Sequence, residues 1–403
     1  MKNCICFLLC AVLLLSCAGC AVPQDSLANE RIIQIACGED FTLFLFDSGQ
    51  IRGIGKNTSG QLGVGDTADR YELTDVLLTE PAAEIGVSDD TAYALTADKR
   101  LYLWGDNRYR QVADIDMPAV MSPLPRNDWP GELKQFSLGW ISCYVLTADN
   151  EIYGWGNKLA LTNLADLNYD PIYQATLIRQ NHVYTTYSDE RYEPVTFKMI
   201  AAKDGIYYGL DEEDLFFGMM YGELRVAPQP EEIIKLSVGR GFYALLSASG
   251  KLYLGGDNLR GELGRGDNRR QGVPELQPLT VTESLQDITV GPNHILALTR
   301  DSRVWAWGDN TDGQLGLSGA EDVTFPMEVS MPEDIIYIAT GFHNSYFIGV
   351  SGQLYACGAN DYGQLLTGDQ EKSPEPVRAE LNAALPEPRA VIYPHIDTIP
   401  ISE

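Results

Sequence analysis

Short apolar runs that end in a small residue recur along this chain. Ile-Ala-Cys-Gly occupies 35–38, Leu-Ser-Val-Gly occupies 236–239 and Ile-Thr-Val-Gly occupies 288–291. After the last of these runs, apolar segments at 294–299 and 303–308 follow in quick succession, separated by turn residues. Segments of this length with turn residues between them predict β-strands, and a run with proline near its start, as at 325–329, predicts an edge strand.

Each of these units contains a pair of small residues seventeen positions apart. The pairs are Gly38/Gly55, Ser88/Gly105, Gly139/Gly156, Ala202/Met219, Gly239/Gly256, Gly291/Gly308 and Gly341/Gly358. Seven copies of a four-stranded antiparallel unit predict an all-β fold, a seven-bladed β-propeller. A single blade cannot bury both of its faces, so the ring must close. We expect closure by pairing of the N- and C-terminal segments, with 374–378 supplying a strand that the first unit lacks before Ile32.

The second glycine of a pair opens a loop whose best copies read Gly-x-Asn-x-x-Gly-[Gln/Glu]-Leu. Residues 304–316 read Val-Trp-Ala-Trp-Gly-Asp-Asn-Thr-Asp-Gly-Gln-Leu-Gly, and related runs occupy 54–63 and 358–365. These motifs resemble the repeat of the regulator of chromosome condensation (RCC1) family, over about residues 31–380. The resemblance implies a seven-bladed propeller, as the unit count does. Units 2 to 4 lose part of the motif, which predicts irregular blades there.

We interpret the motif residues as structural. Asparagine side chains at the start of a loop bond their own backbone, glutamine ties the loop down and leucine fills the core. These residues are Gly55, Asn57, Gly60, Gln61, Leu62, Gly256, Asn258, Gly261, Gly308, Asn310, Gly313, Gln314, Leu315, Gly358, Asn360, Gly363, Gln364 and Leu365.

The N-terminal segment has the pattern of an export signal. Lys2 precedes an apolar run at 5–15, which is too short to span a bilayer as a helix. Small residues then precede Cys17 and Cys20 and resemble the lipobox of bacterial lipoproteins, in which a cysteine is lipidated. Either cysteine fits, and plain signal-peptide cleavage is the alternative. We therefore predict an exported protein, lipid-anchored at the outer face of a bacterial membrane.

The predicted organisation has four parts. They are a signal segment at 1–20, a tether at 21–30, a propeller at 31–380 and a C-terminal tail at 381–403 that could pack on the propeller. Between units 3 and 4, residues 157–196 exceed what a blade needs and form an insert, either a binding element or an ordinary packed elaboration of blades 3 and 4.

Charge narrows the range of partners. The chain has 56 acidic and 29 basic residues, a net charge of −27, and no dense Lys/Arg cluster. Nucleic acid and anionic membrane surfaces repel such a chain, so membrane contact is expected through the lipid anchor alone. The propeller region contains Cys37, Cys143 and Cys357. These form neither a disulfide framework nor a metal motif, and buried free thiols are favoured over a Cys37–Cys357 bond.

The sequence offers no catalytic constellation. Its four histidines have no metal-ligand or triad spacing, and there is no nucleophile elbow. The acidic run 211–214 lacks the alternating ligands of a calcium loop, so a solvated turn is favoured there over a Ca²⁺ site. We therefore expect no enzyme activity, no cofactor and no metal. Nucleotide exchange on a GTPase, which the family name suggests, does not suit an exported acidic protein.

Aromatic residues in irregular loops are the candidate binding residues. Tyrosine supplies rigid contact area at low entropy cost, and loops on rigid scaffolds carry function. The candidates are Tyr169, Tyr173, Tyr184, Tyr187 and Tyr192 in the insert, and Trp129 in a separate proline-flanked loop. We predict a non-enzymatic module that binds an unknown extracellular or envelope protein through these loops. A carbohydrate- or cell-wall-binding lipoprotein is the alternative, because tyrosine and tryptophan also stack on sugars.

Overall fold

The computed structural model describes residues 30–157, 172–177, 183–184, 190–191, 196–203, 206–220, 223–228, 231–269, 284–319 and 321–380. Across these ranges the ordered elements are all β-strands. In chain order they are β1 (Ile32–Cys37), β2 (Phe41–Phe46), β3 (Ile51–Gly55), β4 (Arg70–Asp75), β5 (Ala82–Ser88), β6 (Thr91–Thr96), β7 (Leu101–Asp106), β8 (Ala119–Arg126), β9 (Leu133–Leu138), β10 (Ser142–Thr147), β11 (Ile152–Gly156), β12 (Ile172–Leu177), β13 (Val183–Tyr184), β14 (Glu190–Arg191), β15 (Phe197–Lys203), β16 (Ile206–Asp211), β17 (Leu215–Met220), β18 (Glu223–Pro228), β19 (Ile233–Val238), β20 (Phe242–Ser247), β21 (Leu252–Gly256), β22 (Leu285–Val290), β23 (His294–Thr299), β24 (Val304–Gly308), β25 (Val323–Val329), β26 (Ile335–Thr340), β27 (Asn344–Gly349), β28 (Leu354–Gly358) and β29 (Ser373–Arg378).

The strands form seven blades, each an antiparallel sheet of consecutive strands. The sheets are β1–β4, β5–β8, β9–β12, β15–β18, β19–β21, β22–β25 and β26–β29, with β13 and β14 as a small separate pair. The first strand of each blade contacts the first strand of the next, and β26 returns to β1. The all-β, seven-bladed propeller predicted from the repeats is thereby confirmed.

Blades 1 and 7 meet without sharing a strand. The last strand, β29, pairs with β28 of its own blade, with Arg378 opposite Tyr355. The expected pairing of 374–378 with the first unit is therefore wrong, because the fourth strand of each blade follows the third and blade 1 already contains β4. Side chains join the two blades instead: Ile35 N donates to the Tyr337 hydroxyl at 3.0 Å, and the Thr42 and Tyr346 hydroxyls lie 2.8 Å apart.

Where the second position of a pair is glycine, the backbone has a positive φ and a carbonyl oxygen lies too close to admit a Cβ. Gly55 has φ +114° and Gly308 has φ +102°. A Cβ at Gly308 would lie 2.4 Å from the carbonyl oxygen of Asn293, and one at Gly55 would lie 2.4 Å from that of Asp40. Only glycine adopts this conformation and clears that oxygen without strain.

In blades 1 and 5 the first glycine of a pair makes room for a phenylalanine ring. A Cβ at Gly38 would lie 1.9 Å from the Phe41 ring, which occupies the start of the second strand. In blade 4 the register pairs Lys203 with Ile206 across the first turn, as Gly38 pairs with Phe41 in blade 1. Lys203 therefore takes the glycine position, one residue beyond the Ala202 expected from spacing. The residue paired with Lys203 is Ile206, whereas blade 1 has the aromatic Phe41 at that position.

We distinguish two faces of the ring. The turn face carries the turns between first and second strands, such as 38–41, and the Asn-Gly-Gln-Leu loops. The hairpin face carries the turns between second and third strands, such as 46–51. The chain enters β1 at the hairpin face, where Asp47 N donates to Arg31 O at 2.8 Å. It leaves β29 at the same face, where Ala379 N donates to Leu354 O at 2.9 Å.

Candidate functional site

The loop asparagines on the turn face hold their loops together. Asn57 Nδ2 donates to the carbonyl oxygens of Asp66 and Ala68 at 2.9 and 3.0 Å, and its Oδ1 accepts from Leu62 N at 2.9 Å. Asn258, Asn310 and Asn360 bond in the same way, and the leucines that follow them, Leu263, Leu315 and Leu365, are fully buried. These motif residues shape the loops and leave little polar surface for a ligand.

The loop glutamines close the same loops. Gln61 Oε1 accepts from Ser59 N at 2.8 Å, and Gln314 and Gln364 repeat this bond with Asp312 N and Tyr362 N. Blade 2 keeps the geometry although its motif differs, because Gln111 Oε1 accepts from Tyr109 N at 3.0 Å. Arg110 there adopts φ +57°, the left-handed conformation that Gly60 has in blade 1.

Part of the predicted insert between units 3 and 4 belongs to blade 3. Its segment 172–177 is β12, the fourth strand of that blade, which pairs with β11 and runs from Gly156↔Ile172 to Tyr153↔Leu177. The short strands β13 and β14, also within the insert, pair with each other and form a separate two-stranded sheet.

Of the six candidate binding residues, Trp129 is the one whose side chain the structure describes. Tyr169, Tyr187 and Tyr192 lie outside the described residues, and the side chains of Tyr173 and Tyr184 do also. Trp129 is half-buried and stacks on Trp155, with ring centroids 5.9 Å apart and an interplanar angle of 4°. One face of the Trp129 indole is thus committed to the core of blade 3.

A cavity of about 640 Å³ runs through the centre of the ring and is lined by the first strands of all seven blades. At its turn-face end, the residue after the first glycine position differs from blade to blade. These residues are Glu39, Asp89, Trp140, Arg240, Pro292 and Phe342 in the blades where the turn is described. Trp140 is 41% exposed, although it is a large apolar side chain. Sequence reasoning missed this ring of residues, and variation at one position inside an otherwise regular repeat was the available signal.

Side chains from distant blades meet across this end of the cavity. Lys203 of blade 4 has its Nζ 3.4 Å from an Asp89 carboxylate oxygen in blade 2 and 5.0 Å from the ring centroid of Phe342 in blade 7. The Arg240 guanidinium of blade 5 lies 5.8 Å from the same ring centroid. We call Asp89, Lys203, Arg240 and Phe342 the mouth cluster.

The sector of the turn face formed by blades 1 and 2 is strongly acidic. Burial raises the pKa values of Asp40 and Asp90, and the Coulombic effect of Glu39 raises both further. Burial alone would lower the pKa of Lys56, but the carboxylates of Asp90, Glu39 and Asp40 outweigh it and the pKa is raised. These three carboxylates therefore favour the charged form of the Lys56 side chain.

The three cysteines and His294 of the described blades are uncharged at pH 7. Burial raises the pKa values of the Cys37, Cys143 and Cys357 thiols, all of which are free, so they stay protonated. Burial also lowers the pKa of His294 to about 4, so this histidine is neutral at pH 7. Ser345 Oγ donates to Gln314 O and so accepts from His294 Nε2, which places the imidazole proton on Nε2.

Among the described residues, no group of three or more His, Cys, Asp or Glu side chains is arranged to hold a metal ion. In the same residues no helix has the length and apolarity needed to cross a bilayer.

With this architecture in place, comparison with known families identifies the repeats. Models of the regulator of chromosome condensation (RCC1) repeat match residues 32–61, 286–314, 301–348 and 351–388. The matched segments lie mainly in blades 1, 6 and 7 and identify RCC1-type repeats there. Propellers built from such repeats are protein-interaction scaffolds and are generally non-catalytic.

Individual relatives agree with this assignment. The chain is 24% identical to the ultraviolet-B receptor UVR8 of Arabidopsis thaliana over 86% of its own length and 83% of that protein. It is 26% identical to the serine/threonine-protein kinase Nek9 of Xenopus laevis and 25% identical to the human E3 ubiquitin-protein ligase HERC2. It spans only 28% and 6% of those two proteins, so their enzyme names do not transfer to it.

Solved structures show the same fold. Human WBSCR16 superposes with a TM-score of 0.63 at 20% identity, covering 78% of this chain and 85% of that one. Prp20p of Saccharomyces cerevisiae superposes with a TM-score of 0.51 at 16% identity, covering 87% of this chain and 77% of that one.

Proposed function

We propose that this protein is an exported, lipid-anchored, non-catalytic module whose turn face binds another protein. The observation that carries the proposal is the variability of the first-turn residues around the cavity mouth. The surrounding glycines, asparagines and leucines are needed for folding, whereas the residues at these turns differ in charge and size from blade to blade. A rigid frame that presents non-repeating side chains is the arrangement that scaffold-borne binding sites use.

The anchor and the binding face lie at opposite ends of the blades in this proposal. An anchor at Cys17 or Cys20 leads through the tether into β1 at the hairpin face, where Arg31 is bonded to Asp47. The turn face then points away from the membrane. The insert tyrosines Tyr169, Tyr173, Tyr184, Tyr187 and Tyr192 stay candidate contacts.

A pair of photo-crosslinking variants tests the choice of face. Trp140 on the turn face and Val350 on the hairpin face are matched in exposure, at 41% and 39%. With a photoreactive amino acid at either position in envelope preparations, we expect a discrete protein adduct from position 140 and none from position 350. Adducts from position 350 alone would contradict the proposal.

Export and anchoring need a separate test. Metabolic labelling with a fatty acid should label the wild-type protein in a bacterial host, and changing Cys17 and Cys20 together to alanine should abolish the label. The double variant should then appear in the soluble fraction. Labelling that persists in the double variant would refute the lipid anchor.

Carbohydrate binding is the second candidate, and the exposure of Trp140 favours it, because an accessible indole face stacks on sugar rings. Glycan-array binding that is lost in Trp140→Ala, with no protein adduct at position 140, would support this alternative over the first.

A further inference from the structure

The Lys203 side chain occupies a position that the other described blades leave empty or nearly so. The equivalent residues are Gly38, Ser88, Gly139, Gly239, Gly291 and Gly341. From this position the side chain extends across the end of the cavity, past blade 3, to blade 2. Its exposed fraction is 13%, equal to that of its partner Asp89. A lysine that is largely withdrawn from water must find compensating contacts.

Those contacts come from parts of the chain that are far apart in sequence. The Lys203 ammonium lies 3.4 Å from Asp89 Oδ2 and 3.4 Å from Ser88 Oγ, both in blade 2. It also lies 5.0 Å from the ring centroid of Phe342 in blade 7. A carboxylate, a hydroxyl and an aromatic ring are the groups that recognise an ammonium ion, through charge, hydrogen bonding and cation–π attraction.

Lys203 holds this position loosely. Both polar distances exceed the 2.7–2.9 Å or so of a strong charge-assisted hydrogen bond. Neither polar contact is of optimal length, so an ammonium group that approaches Asp89 more closely can compete for the same three contacts. The side chain therefore acts as an internal occupant of a site formed by Ser88, Asp89 and Phe342.

The surroundings of the site favour a basic visitor. Arg240 lies beside the site, with its guanidinium 5.8 Å from the Phe342 ring centroid, and Lys56 lies in the adjoining sector. Glu39, Asp40 and Asp90 on the adjoining turns of blades 1 and 2 outnumber these two cations, and the whole chain has a net charge of −27. Such a field increases the encounter rate with positively charged partners and disfavours negatively charged ones.

We propose that Ser88, Asp89 and Phe342 form an ammonium-binding site at the turn-face mouth of the cavity, which takes a lysine side chain of a basic protein partner in place of Lys203. This inference deepens the proposed function and rests on the turn face being the binding face. It identifies the partner by chemistry, as a protein with an exposed lysine in a basic segment.

Chemical complementation tests the site without the partner. Lys203→Ala removes the atoms from Cγ to Nζ, which together correspond to propylamine. Propylammonium should therefore bind this variant and raise its melting temperature in a saturable way, by about 2 °C or more at concentrations well above its dissociation constant. 1-Propanol and an equal concentration of sodium chloride should not reproduce the shift.

Two further variants isolate the contacts. Lys203→Met fills the same space without a charge and should not respond to propylammonium. Lys203→Ala combined with Asp89→Asn keeps the space but loses the carboxylate, and its response should fall by at least about tenfold in apparent affinity. If Lys203→Ala does not fold, Lys203→Gly, which restores the residue of five other blades, is tested with butylammonium instead.

A folded Lys203→Ala or Lys203→Gly protein with no amine-dependent shift would overturn the ammonium site. A shift with sodium acetate in place of the amine would overturn it also, since it would mean that the cluster recognises an anion. Neither result would affect the crosslinking pattern at positions 140 and 350, so failure of this inference is distinguishable from failure of the proposed function.

Discussion

The indole Nε1 of Trp104 donates a 2.8 Å hydrogen bond to the backbone carbonyl oxygen of Gln61 in the preceding blade. Trp155 and Trp307 make the same 2.8 Å bond to Gln111 and Glu262. Each tryptophan precedes the second glycine of its unit. Each acceptor occupies the glutamine position of the loop one blade earlier, where the sequence reads Gly-Gln-Leu in blade 1, Arg-Gln-Val in blade 2 and Gly-Glu-Leu in blade 5. The repeat therefore encodes contacts between blades as well as the fold of one blade.

Trp104→Phe should lower the free energy of unfolding by about 1–3 kcal/mol, because the buried Gln61 carbonyl loses its donor and a smaller ring leaves space. Denaturant unfolding measures this change. Trp140→Phe, at an exposed indole, is the control and should shift stability by less than about 0.5 kcal/mol. Equal effects of the two substitutions would refute the contribution of the indole bond.

Leu315→Ala should cost about 2–5 kcal/mol, because Leu315 is fully buried and its truncation leaves a cavity between blades. Leu259, in the equivalent type of loop in blade 5, is 76% exposed and provides the matched control. We expect Leu259→Ala to be neutral within about 0.5 kcal/mol in the same unfolding experiment. A neutral Leu315→Ala would contradict the packing role of the motif leucine.

Gly308→Ala and Gly266→Ala separate steric clash from backbone strain. Both glycines have positive φ, but a Cβ at Gly308 meets a carbonyl oxygen at 2.4 Å whereas one at Gly266 meets nothing within 4 Å. Gly266→Ala should cost about 1–2 kcal/mol from conformation alone, and Gly308→Ala about 3 kcal/mol or more. Similar losses in thermal unfolding would show that the close approach to Asn293 is unimportant.

His294 should make stability depend on pH. Burial lowers its pKa to about 4, below the value of about 6.5 for an exposed histidine, so the unfolded chain binds the proton more readily. The free energy of unfolding is therefore unaffected by this histidine above about pH 6.5. As the pH falls from there towards 4, protonation of His294 in the unfolded chain lowers the free energy of unfolding by about 3 kcal/mol.

The control for this pH dependence is His294→Phe, because Phe41 and Phe242 occupy the same position in blades 1 and 5. Its free energy of unfolding should fall less steeply than that of the wild type between pH 7 and pH 4. Identical slopes in the two proteins would exclude His294 as the source.

The pattern of glycine pairs was sufficient to predict the propeller and its seven blades, because each pair reflects a close approach that only small residues permit. It was not sufficient to place unit 4, where Lys203 and Met220 replace both glycines and the register differs from the spacing by one residue. It also did not predict the partner of β29. Which edge a terminal strand joins depends on tertiary contacts that a local pattern does not contain.

The candidate site was less predictable than the fold. Tyrosine content drew attention to the insert, of which the structure describes β12 as a regular strand of blade 3, and Trp129 packs on Trp155. The mouth cluster joins residues from blades 2, 4, 5 and 7, more than 250 positions apart at the extremes of Asp89 and Phe342. Only ring closure brings such residues together, so no sequence spacing announces them.

Every described sheet is built from consecutive strands, and blade 7 takes no strand from blade 1. Each blade is therefore encoded by one continuous stretch of the gene. Duplication or deletion of one whole unit leaves the hydrogen-bonding partner of every other strand unchanged. The two ends of the ring, residues 30 and 380, also emerge at the same face, so a short linker between them creates a circular permutant with new termini in another blade. The order of the blades along the chain can thus change during evolution while the contact between blades 1 and 7 is kept.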